Sequence, residues 1–193
     1  TKTFAGTEFT SSGLQNSETI GSVTLASTGA AATANVAGGP YAITASNATG
    51  GSFTAGNYSI SYADGGLTVN QRPITVTASN QNRTYGSANP TSGSVSVTSG
   101  SLANGDALGT ATVTAAGTAT ATANAGTTHG LTPSAQAFTA GTAGNYSISY
   151  ADGTLSITQA PLTVTASNAS KTYGDTKTFA GTEFTSSGLQ NSE

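Results

Sequence analysis

The sequence predicts an all-β protein built from small tandem modules. Three observations support this fold class: a long internal repeat, short runs that alternate apolar and polar residues, and Gly or β-branched residues that interrupt every candidate helix. We expect six or seven short strands per module, arranged as an immunoglobulin-like β-sandwich. A β-grasp-like sheet that uses residues 13–21 as its helix is the alternative.

The internal repeat is visible at two scales. Residues 145–175 repeat residues 57–87, slightly changed, with an offset of 88 residues and no gap. Residues 176–193 repeat residues 1–18 letter for letter, which fixes a larger period of 175 residues. Each large period therefore contains two related modules, as in a tandem array.

Two prolines suggest where the modules begin. Residues 1–72 are expected to form a first module that lacks its opening strand, and residues 73–160 a complete second module. Residues 161–193 are expected to open the next repeat. In the alternative register, the folding units begin near residues 1 and 89.

Composition excludes several classes of function. Charged residues make up 7% of the chain, and its five Lys and Arg residues cannot form the basic stripe of a nucleic-acid-binding protein. The chain has no cysteine, which excludes disulfides and thiolate metal sites. No apolar run approaches the roughly 20 residues that cross a bilayer, so no membrane insertion is expected in this segment.

Alternating runs locate the candidate strands. Residues 21–26 and their counterpart 109–115 each place two apolar side chains on one face, which predicts a half-buried strand. Residues 118–123 alternate Thr with Ala and predict a strand with its small residues inward. A further short strand is expected around Tyr41 and its counterpart His129.

Each module ends in a predicted β-hairpin. The turn lies at Asp64-Gly65 in the first module and at Asp152-Gly153 in the second. Asp-Gly favours the positive φ values of a tight hairpin turn. The tyrosines before the turns alternate with polar residues, which favours core packing over stacking on sugars; they are Tyr58, Tyr62, Tyr146 and Tyr150.

The junctions between modules are marked by Pro73 and Pro161. Apolar residues occupy odd positions in 155–157 and even positions in 162–166, and the same inversion occurs across Pro73. A shift of one residue moves every side chain to the opposite face of a sheet. We therefore expect the last strand of one module to run directly into the first strand of the next, stiffened by proline. This predicts modules joined end to end in an elongated rod.

Few residues are candidates for chemistry. Asp64, Asp152 and Asp175 carry carboxylates of the kind that bind calcium, but the chain has no closely spaced run of acids. Lys171 is a candidate for an intramolecular isopeptide bond, yet Arg83, which cannot act as that nucleophile, occupies its counterpart position. We predict no catalytic, cofactor-binding or metal-binding residue, and no enzyme.

Four blocks of sequence resemble a known family. They are APLTVTA at 160–166, KTYGD at 171–175, NYSI at 145–148 and YADG at 150–153. With them, the chain resembles the YDG and MBG repeat modules of large bacterial surface adhesins, including filamentous-haemagglutinin-like secreted proteins. Both modules carry the blocks, although the second departs at residues 72–73 and at residues 85–87, where the acid is missing. The resemblance implies a secreted protein at the bacterial cell surface.

The expected function is that of a structural stalk or spacer that projects a terminal binding domain, with a length set by repeat number. The alternative is a module that itself binds glycan or biofilm matrix, or that self-associates. Expected partners are neighbouring repeats in the same chain, and host or matrix glycans bound through other domains. Head-to-tail strand complementation between molecules is a further expectation, because an open sheet edge accepts an added strand.

Overall fold

A computed structural model describes all 193 residues and confirms an all-β protein. Four 3₁₀ turns of three residues each are its only helical elements. The strands are β1 (Ile20–Ala26), β2 (Tyr41–Gly51), β3 (Gly65–Leu67), β4 (Arg72–Ala78), β5 (Gln81–Thr84), β6 (Ser92–Ser99), β7 (Ala107–Leu108), β8 (Thr110–Ala115), β9 (Thr128–Ser134), β10 (Phe138–Ala140), β11 (Tyr146–Ala151), β12 (Gly153–Thr158), β13 (Thr163–Ala166) and β14 (Phe184–Ser187).

The β-grasp alternative is wrong, because no helix forms at residues 13–21. The chain instead turns at Asn16 and Ser17, which both adopt positive φ. The counterpart turn in the second repeat lies at Asn104 and Gly105, again with positive φ. The short side chain of Asn tolerates this left-handed conformation better than most residues do.

The chain divides into two compact units, each assembled from several segments. Unit 1 comprises Thr1–Ile74, Leu102–Asp106 and Ala140–Ser147. Unit 2 comprises Thr75–Ser101, Ala107–Thr139 and Ile148–Glu193.

The largest sheet has seven strands in the order β11-β4-β6-β8-β9-β12-β5, and most of its residues belong to unit 2. β12 runs parallel to β5 and antiparallel to β9, while β8 pairs antiparallel with both β6 and β9. Alternating side chains of these strands bury a small core of Ala78, Val113, Leu131 and Leu155, to which Ala119 contributes from the segment after β8. Four further strands form two separate two-stranded sheets, β10-β7 and β13-β14.

Unit 1 contains the three-stranded antiparallel sheet β1-β2-β3. A register shift interrupts the pairing of β1 between Ser22 and Thr24. Beside the sheet, the ring of Tyr41 packs on Gly29, where a Cβ atom would lie 2.6 Å from the ring carbons. The Tyr41 hydroxyl donates to the carbonyl oxygen of Asn35 at 2.8 Å, which fixes the loop of small residues against the sheet.

The expected hairpins do not form. β11 and β12 flank Asp152 but do not pair with each other, since β11 lies beside β4 and β12 lies between β9 and β5. Asp152, Gly153, Asp64 and Gly65 all lack the positive φ of a tight hairpin turn. Pairing with distant strands is more stable than a local hairpin because it buries Leu155 completely, which two strands alone cannot do.

The strand expected at residues 118–123 is also absent, because this segment forms successive turns. Ala119 nevertheless packs in the core, and the carbonyl oxygen of Thr120 accepts a hydrogen bond from Arg83 at 2.6 Å. Of the three alanines expected to face inward, Ala119 is buried, Ala123 is half-buried and Ala121 is exposed.

Candidate functional site

Tyr146 is the centre of a hydrogen-bonded cluster in unit 1. Its buried side chain donates from the hydroxyl to Asp106 Oδ2 at 2.6 Å and accepts from the backbone N–H of Ala103 at 3.0 Å. Burial raises the pKa of the Tyr146 phenol, and the hydrogen bond to Asp106 raises this pKa further. The cluster therefore holds a neutral tyrosine against a carboxylate.

Tyr58 makes the same contacts in the first repeat. Its hydroxyl donates to Glu18 and accepts from the backbone N–H of Gln15 at 3.0 Å. The hydrogen bond to Glu18 is the main reason that the pKa of Tyr58 lies above its ordinary value. Sequence reasoning missed both pairs, although each tyrosine follows its acid by 40 residues in both copies.

A second pair of equivalent tyrosines is also tied to the backbone. The hydroxyl of Tyr62 accepts from the N–H of Ala48 at 2.9 Å, and that of Tyr150 accepts from the N–H of Gln136 at 3.2 Å. Their rings remain partly open to solvent, with relative exposures of 43% for Tyr62 and 39% for Tyr150. Each of the four tyrosines therefore links two segments of the chain through hydrogen bonds of its hydroxyl.

Unit 1 also has an open cleft of about 880 Å³. It lies between the segments 7–12 and 58–65, and the sheet β1-β2-β3 contributes to its floor. The predicted turn residues Asp64 and Gly65 lie at its edge. Its apolar lining includes Ile20, Val23, Leu25, Ile43, Ile60 and Tyr62. Polar side chains line it as well, among them Glu8 and Asp64 and several serines and threonines, so the cleft is of mixed character. Its volume is within the range of small-molecule sites.

The family model of the MBG domain (YGX type) matches residues 3–68 and again residues 74–156. The chain belongs to the MBG domain family. The resemblance inferred from the sequence is thereby confirmed. MBG domains are repeat domains of surface proteins and are generally structural rather than enzymatic. No curated protein and no solved structure matches this chain.

The two glycines of the predicted turns differ between the MBG repeats. Gly153 is buried, and a Cβ atom there would lie 2.3 Å from the carbonyl oxygen of Ala78 on β4. At Gly65 the nearest atom is Cβ of Ile43, at an ordinary 3.7 Å. Gly153 is therefore required by a close backbone approach, whereas Gly65 has open space around it.

The two junction prolines of these MBG repeats are exposed, with Pro73 in β4 and Pro161 two residues before β13. After Pro73, Ile74 and Val76 are buried, with exposures of 3% and 0%. Leu67, on the other side of this proline, is half-buried at an odd position. The inversion of burial expected around Pro73 is therefore visible in these side chains.

Around Pro161 the pattern is different. Leu155 and Ile157 are buried, but Leu162 and Val164 are 53% and 60% exposed. β13 pairs with β14 alone, and this two-stranded ribbon leaves its side chains open to solvent.

Arg83 and Lys171 differ in environment although they occupy equivalent positions. The Arg83 side chain is buried, and its guanidinium donates to Asn89 Oδ1 at 2.7 Å and to the carbonyl oxygen of Thr120 at 2.6 Å. Lys171 is exposed and donates to the carbonyl oxygen of Asp175 at 3.1 Å. The ammonium group of Lys171 therefore binds a backbone carbonyl.

Potential metal ligands are dispersed in this protein. No group of three or more His, Asp or Glu side chains lies close enough to hold a metal ion, and the three candidate aspartates at 64, 152 and 175 do not meet. His129, which is half-buried on β9, has both ring nitrogens beside threonine hydroxyls, those of Thr118 at 2.9 Å and Thr127 at 3.0 Å. No helix of the structure has the length and apolar character needed to span a membrane.

Proposed function

We propose that these MBG repeats form a structural stalk of a secreted bacterial adhesin, in which they project a terminal binding domain from the cell surface. The observation that carries the proposal is the short connection between successive repeats. β3 ends at Leu67, and β4 begins at Arg72 with Pro73 as its second residue. A short connection followed at once by a strand that carries proline restricts bending, so that added repeats extend reach rather than coil.

The surface chemistry supports the same proposal. The chain has a net charge of −3, 7% of its residues are charged, and Ser, Thr and Asn are abundant among the others. Such a surface remains hydrated without a strong field that would attract nucleic acid or anionic membranes. These properties suit a spacer between a cell and a separate binding domain.

The test is small-angle X-ray scattering on proteins that contain one, two and three copies of the 175-residue period. A stalk predicts that the maximum dimension increases by a constant amount with each copy. A flexible string of modules would instead extend with roughly the square root of its length. A Gly-Ser insertion between Asn70 and Gln71 is the matched control and is expected to broaden the distance distribution. A wild type that already behaves like the insertion variant would refute the stalk.

A second candidate function, binding of glycan by the repeats themselves, is favoured by the partly exposed rings of Tyr62 and Tyr150 at equivalent positions. Exposed aromatic rings present apolar faces with a polar rim, which suits stacking on sugars. A glycan array probed with the whole chain tests this function. Specific micromolar binding that is lost in Tyr150→Ser would favour it over the stalk.

A further inference from the structure

Two segments of the second repeat lie against a loop of the first repeat, and all three belong to unit 1. From the second repeat, unit 1 takes Leu102–Asp106 and Ala140–Ser147. Both segments contact residues 31–38, a loop of small residues that ends in the 3₁₀ turn Val36–Gly38. We call residues 31–38 the docking loop. Successive repeats are thus joined by side-chain contacts as well as by the chain itself.

Asn145 binds the docking loop with both ends of its amide. Its Oδ1 accepts a hydrogen bond from the backbone N–H of Val36 at 3.0 Å, and its Nδ2 donates to Oδ1 of Asn35 at 2.8 Å. Beside it, the carbonyl oxygen of Gly144 accepts a hydrogen bond from Nε2 of Gln71 in the first repeat, at 3.1 Å. A primary amide that uses its donor and its acceptor on one loop fixes the orientation of that loop.

Asn104 reaches the docking loop from a tight turn. Its Nδ2 donates to the carbonyl oxygen of Ala32 at 3.0 Å. The turn comprises residues 103–106 and is closed by a backbone hydrogen bond of 2.8 Å between its last and first residues. Its two central residues, Asn104 and Gly105, both have positive φ. Glycine adopts positive φ more readily than asparagine, so the turn alone does not require an amide side chain at position 104.

The cluster around Tyr146 holds this turn at both ends. The Tyr146 hydroxyl binds the N–H of Ala103, the first residue of the turn, and the carboxylate of Asp106, the last. Gly141 leaves room for that carboxylate, since a Cβ atom there would overlap Cγ of Asp106. Tyr146 also follows Asn145 directly in the chain. Its buried side chain therefore positions both amides that bind the docking loop.

The same type of contact recurs in unit 2. Asn191 occupies the position of Asn104 in the following repeat and also has positive φ. Its Nδ2 donates to the carbonyl oxygen of Ala121 at 3.2 Å. Ala121 lies one residue from position 120, the counterpart of Ala32. At two places in the chain, then, a left-handed asparagine of one repeat binds a backbone carbonyl in the same loop of the repeat before it.

The acceptor loops are held in place by their own repeats. In unit 2, the carbonyl oxygens of Ala119 and Thr120 accept hydrogen bonds from Asn89 and Arg83, at 2.9 and 2.6 Å. In the first repeat, the hydroxyl of Tyr41 ties the docking loop to the sheet. Each loop therefore presents a fixed backbone carbonyl to the asparagine of the repeat that follows.

We propose that residues 103–106 and 144–145 form a docking surface for the preceding repeat, with the docking loop as its partner. Asn104 and Asn145 make the contacts, and Tyr146 is a positioning residue that acts through them. The surface recognises mainly backbone groups, which are present in any sequence, so docking tolerates side-chain differences between repeats. The inference concerns the contact between successive repeats and does not rest on the stalk function.

The test is hydrogen exchange of the whole chain, followed by NMR at the amides of the docking loop. Asn104→Gly keeps the positive φ of the turn and removes only the amide side chain. It should accelerate exchange of the docking loop about three- to tenfold, the contribution of one hydrogen bond. Asn145→Ala removes two hydrogen bonds and should accelerate exchange at Val36 by about tenfold or more.

Asn16→Gly is the matched control for Asn104→Gly. It makes the same change at the equivalent position of the first repeat, where Asn16 also has positive φ, and it leaves residues 103–106 untouched. Exchange of the docking loop should therefore match that of the wild type. An acceleration equal to that in Asn104→Gly would show that loss of any turn asparagine loosens the protein, and would overturn the docking contact.

The positioning role is tested by Tyr146→Phe, alone and combined with Asn104→Gly. The single change should accelerate exchange of the docking loop, because it releases the turn that carries Asn104. The combined variant should exchange no faster than Tyr146→Phe alone, since the contact of Asn104 is already lost. A purely structural role of Tyr146 would instead multiply the two effects.

Ionic strength provides a further readout. The docking contacts join amides and backbone groups, and no ion pair contributes to them. Protection of the docking loop should therefore be the same at low and at high salt concentration, whereas a contact between charged groups would be screened. Protection that falls as salt is added would overturn the proposed recognition.

Wild-type exchange of the docking loop in both Asn104→Gly and Asn145→Ala would overturn the docking surface as a whole. Multiplied effects in the combined variant would overturn the role of Tyr146. These outcomes are distinct from those of the stalk. Scattering that refutes the stalk would leave the expected exchange rates unchanged, and loss of the docking contacts would leave the short connection on which the stalk proposal depends.

Discussion

The nine residues NYSISYADG occur twice in this chain with different structures. At 145–153 they include strand β11 and the first residue of β12, whereas at 57–65 only Gly65 belongs to a strand. Because the two sequences are identical, intrinsic strand propensity cannot explain the difference. β11 has β4 beside it, whereas residues 58–63 pair with no strand. The comparison shows that a partner strand, rather than local sequence, determines whether this segment becomes β-structure.

The strand that follows this segment differs in the same way between the repeats. Leu155 on β12 is completely buried, whereas its counterpart Leu67 on β3 is half-buried. β12 is covered by β5 and β9, while β3 pairs with β2 alone. The second repeat should therefore be much less tolerant of substitution than the first.

The largest expected effect is that of Leu155→Ala, which removes a completely buried side chain and leaves a cavity. We expect a loss of about 3 kcal/mol in the free energy of unfolding. Leu67→Ala, the matched change, should lose about 1 kcal/mol because its side chain is already partly hydrated. Urea unfolding followed by circular dichroism measures both, with hydrogen exchange to assign the loss to each unit. Equal losses would contradict the comparison.

Gly153→Ala is expected to destabilise unit 2 by about 2 kcal/mol, because its Cβ would lie 2.3 Å from the carbonyl oxygen of Ala78. The free energy of unfolding of the monomeric chain should change by less than about 0.5 kcal/mol in Gly65→Ala. Thermal unfolding of the two variants measures these changes in stability, at a concentration where the chain is monomeric. A tolerated Gly153→Ala would mean that β4 and β12 do not approach as closely as described.

Tyr146→Phe removes the hydroxyl that bridges Asp106 and Ala103. The expected loss is about 2 kcal/mol, since hydrogen bonds to charged groups are stronger than neutral ones and Asp106 is half-buried. Tyr58→Phe removes the equivalent contacts to Glu18 and Gln15, but this more exposed site should lose less. Local hydrogen exchange around residues 102–106 and 13–18 distinguishes the two sites, and a larger effect at Tyr58 would contradict the ranking.

The smallest effect concerns alkaline pH. The pKa values of Tyr58 and Tyr146 are raised in the folded protein, so their contribution to stability is complete below the ordinary value of 10.0 and is lost as pH rises through the folded pKa. Asp106→Asn should lower the pKa of Tyr146, because a carboxylate beside the phenol opposes its ionisation. Titration by tyrosinate absorbance measures the shift, with Ser167→Glu as a control away from both tyrosines. An unchanged titration in Asp106→Asn would show that burial alone raises the pKa.

Sequence reasoning succeeded where a signal is local. Alternation predicted strands at residues 21–26 and 109–115, and the structure has β1 and β8 there. It failed at Asp152-Gly153, where a local hairpin was expected and both flanking strands pair with distant segments instead. It also missed the tyrosine–carboxylate pairs, because their members are 40 residues apart and neither carries a recognisable motif.

The sequence by itself determined that the chain is all-β, that it repeats, and that it belongs with the MBG domains. Each of these conclusions follows from composition, periodicity or blocks of residues, which can be read without the structure. Only the tertiary structure decided which of two identical segments becomes a strand, and that Gly153 serves a close approach rather than a turn. The physical reason is that a β-strand satisfies its backbone hydrogen bonds with another strand, so its formation depends on a partner that lies far away in the sequence.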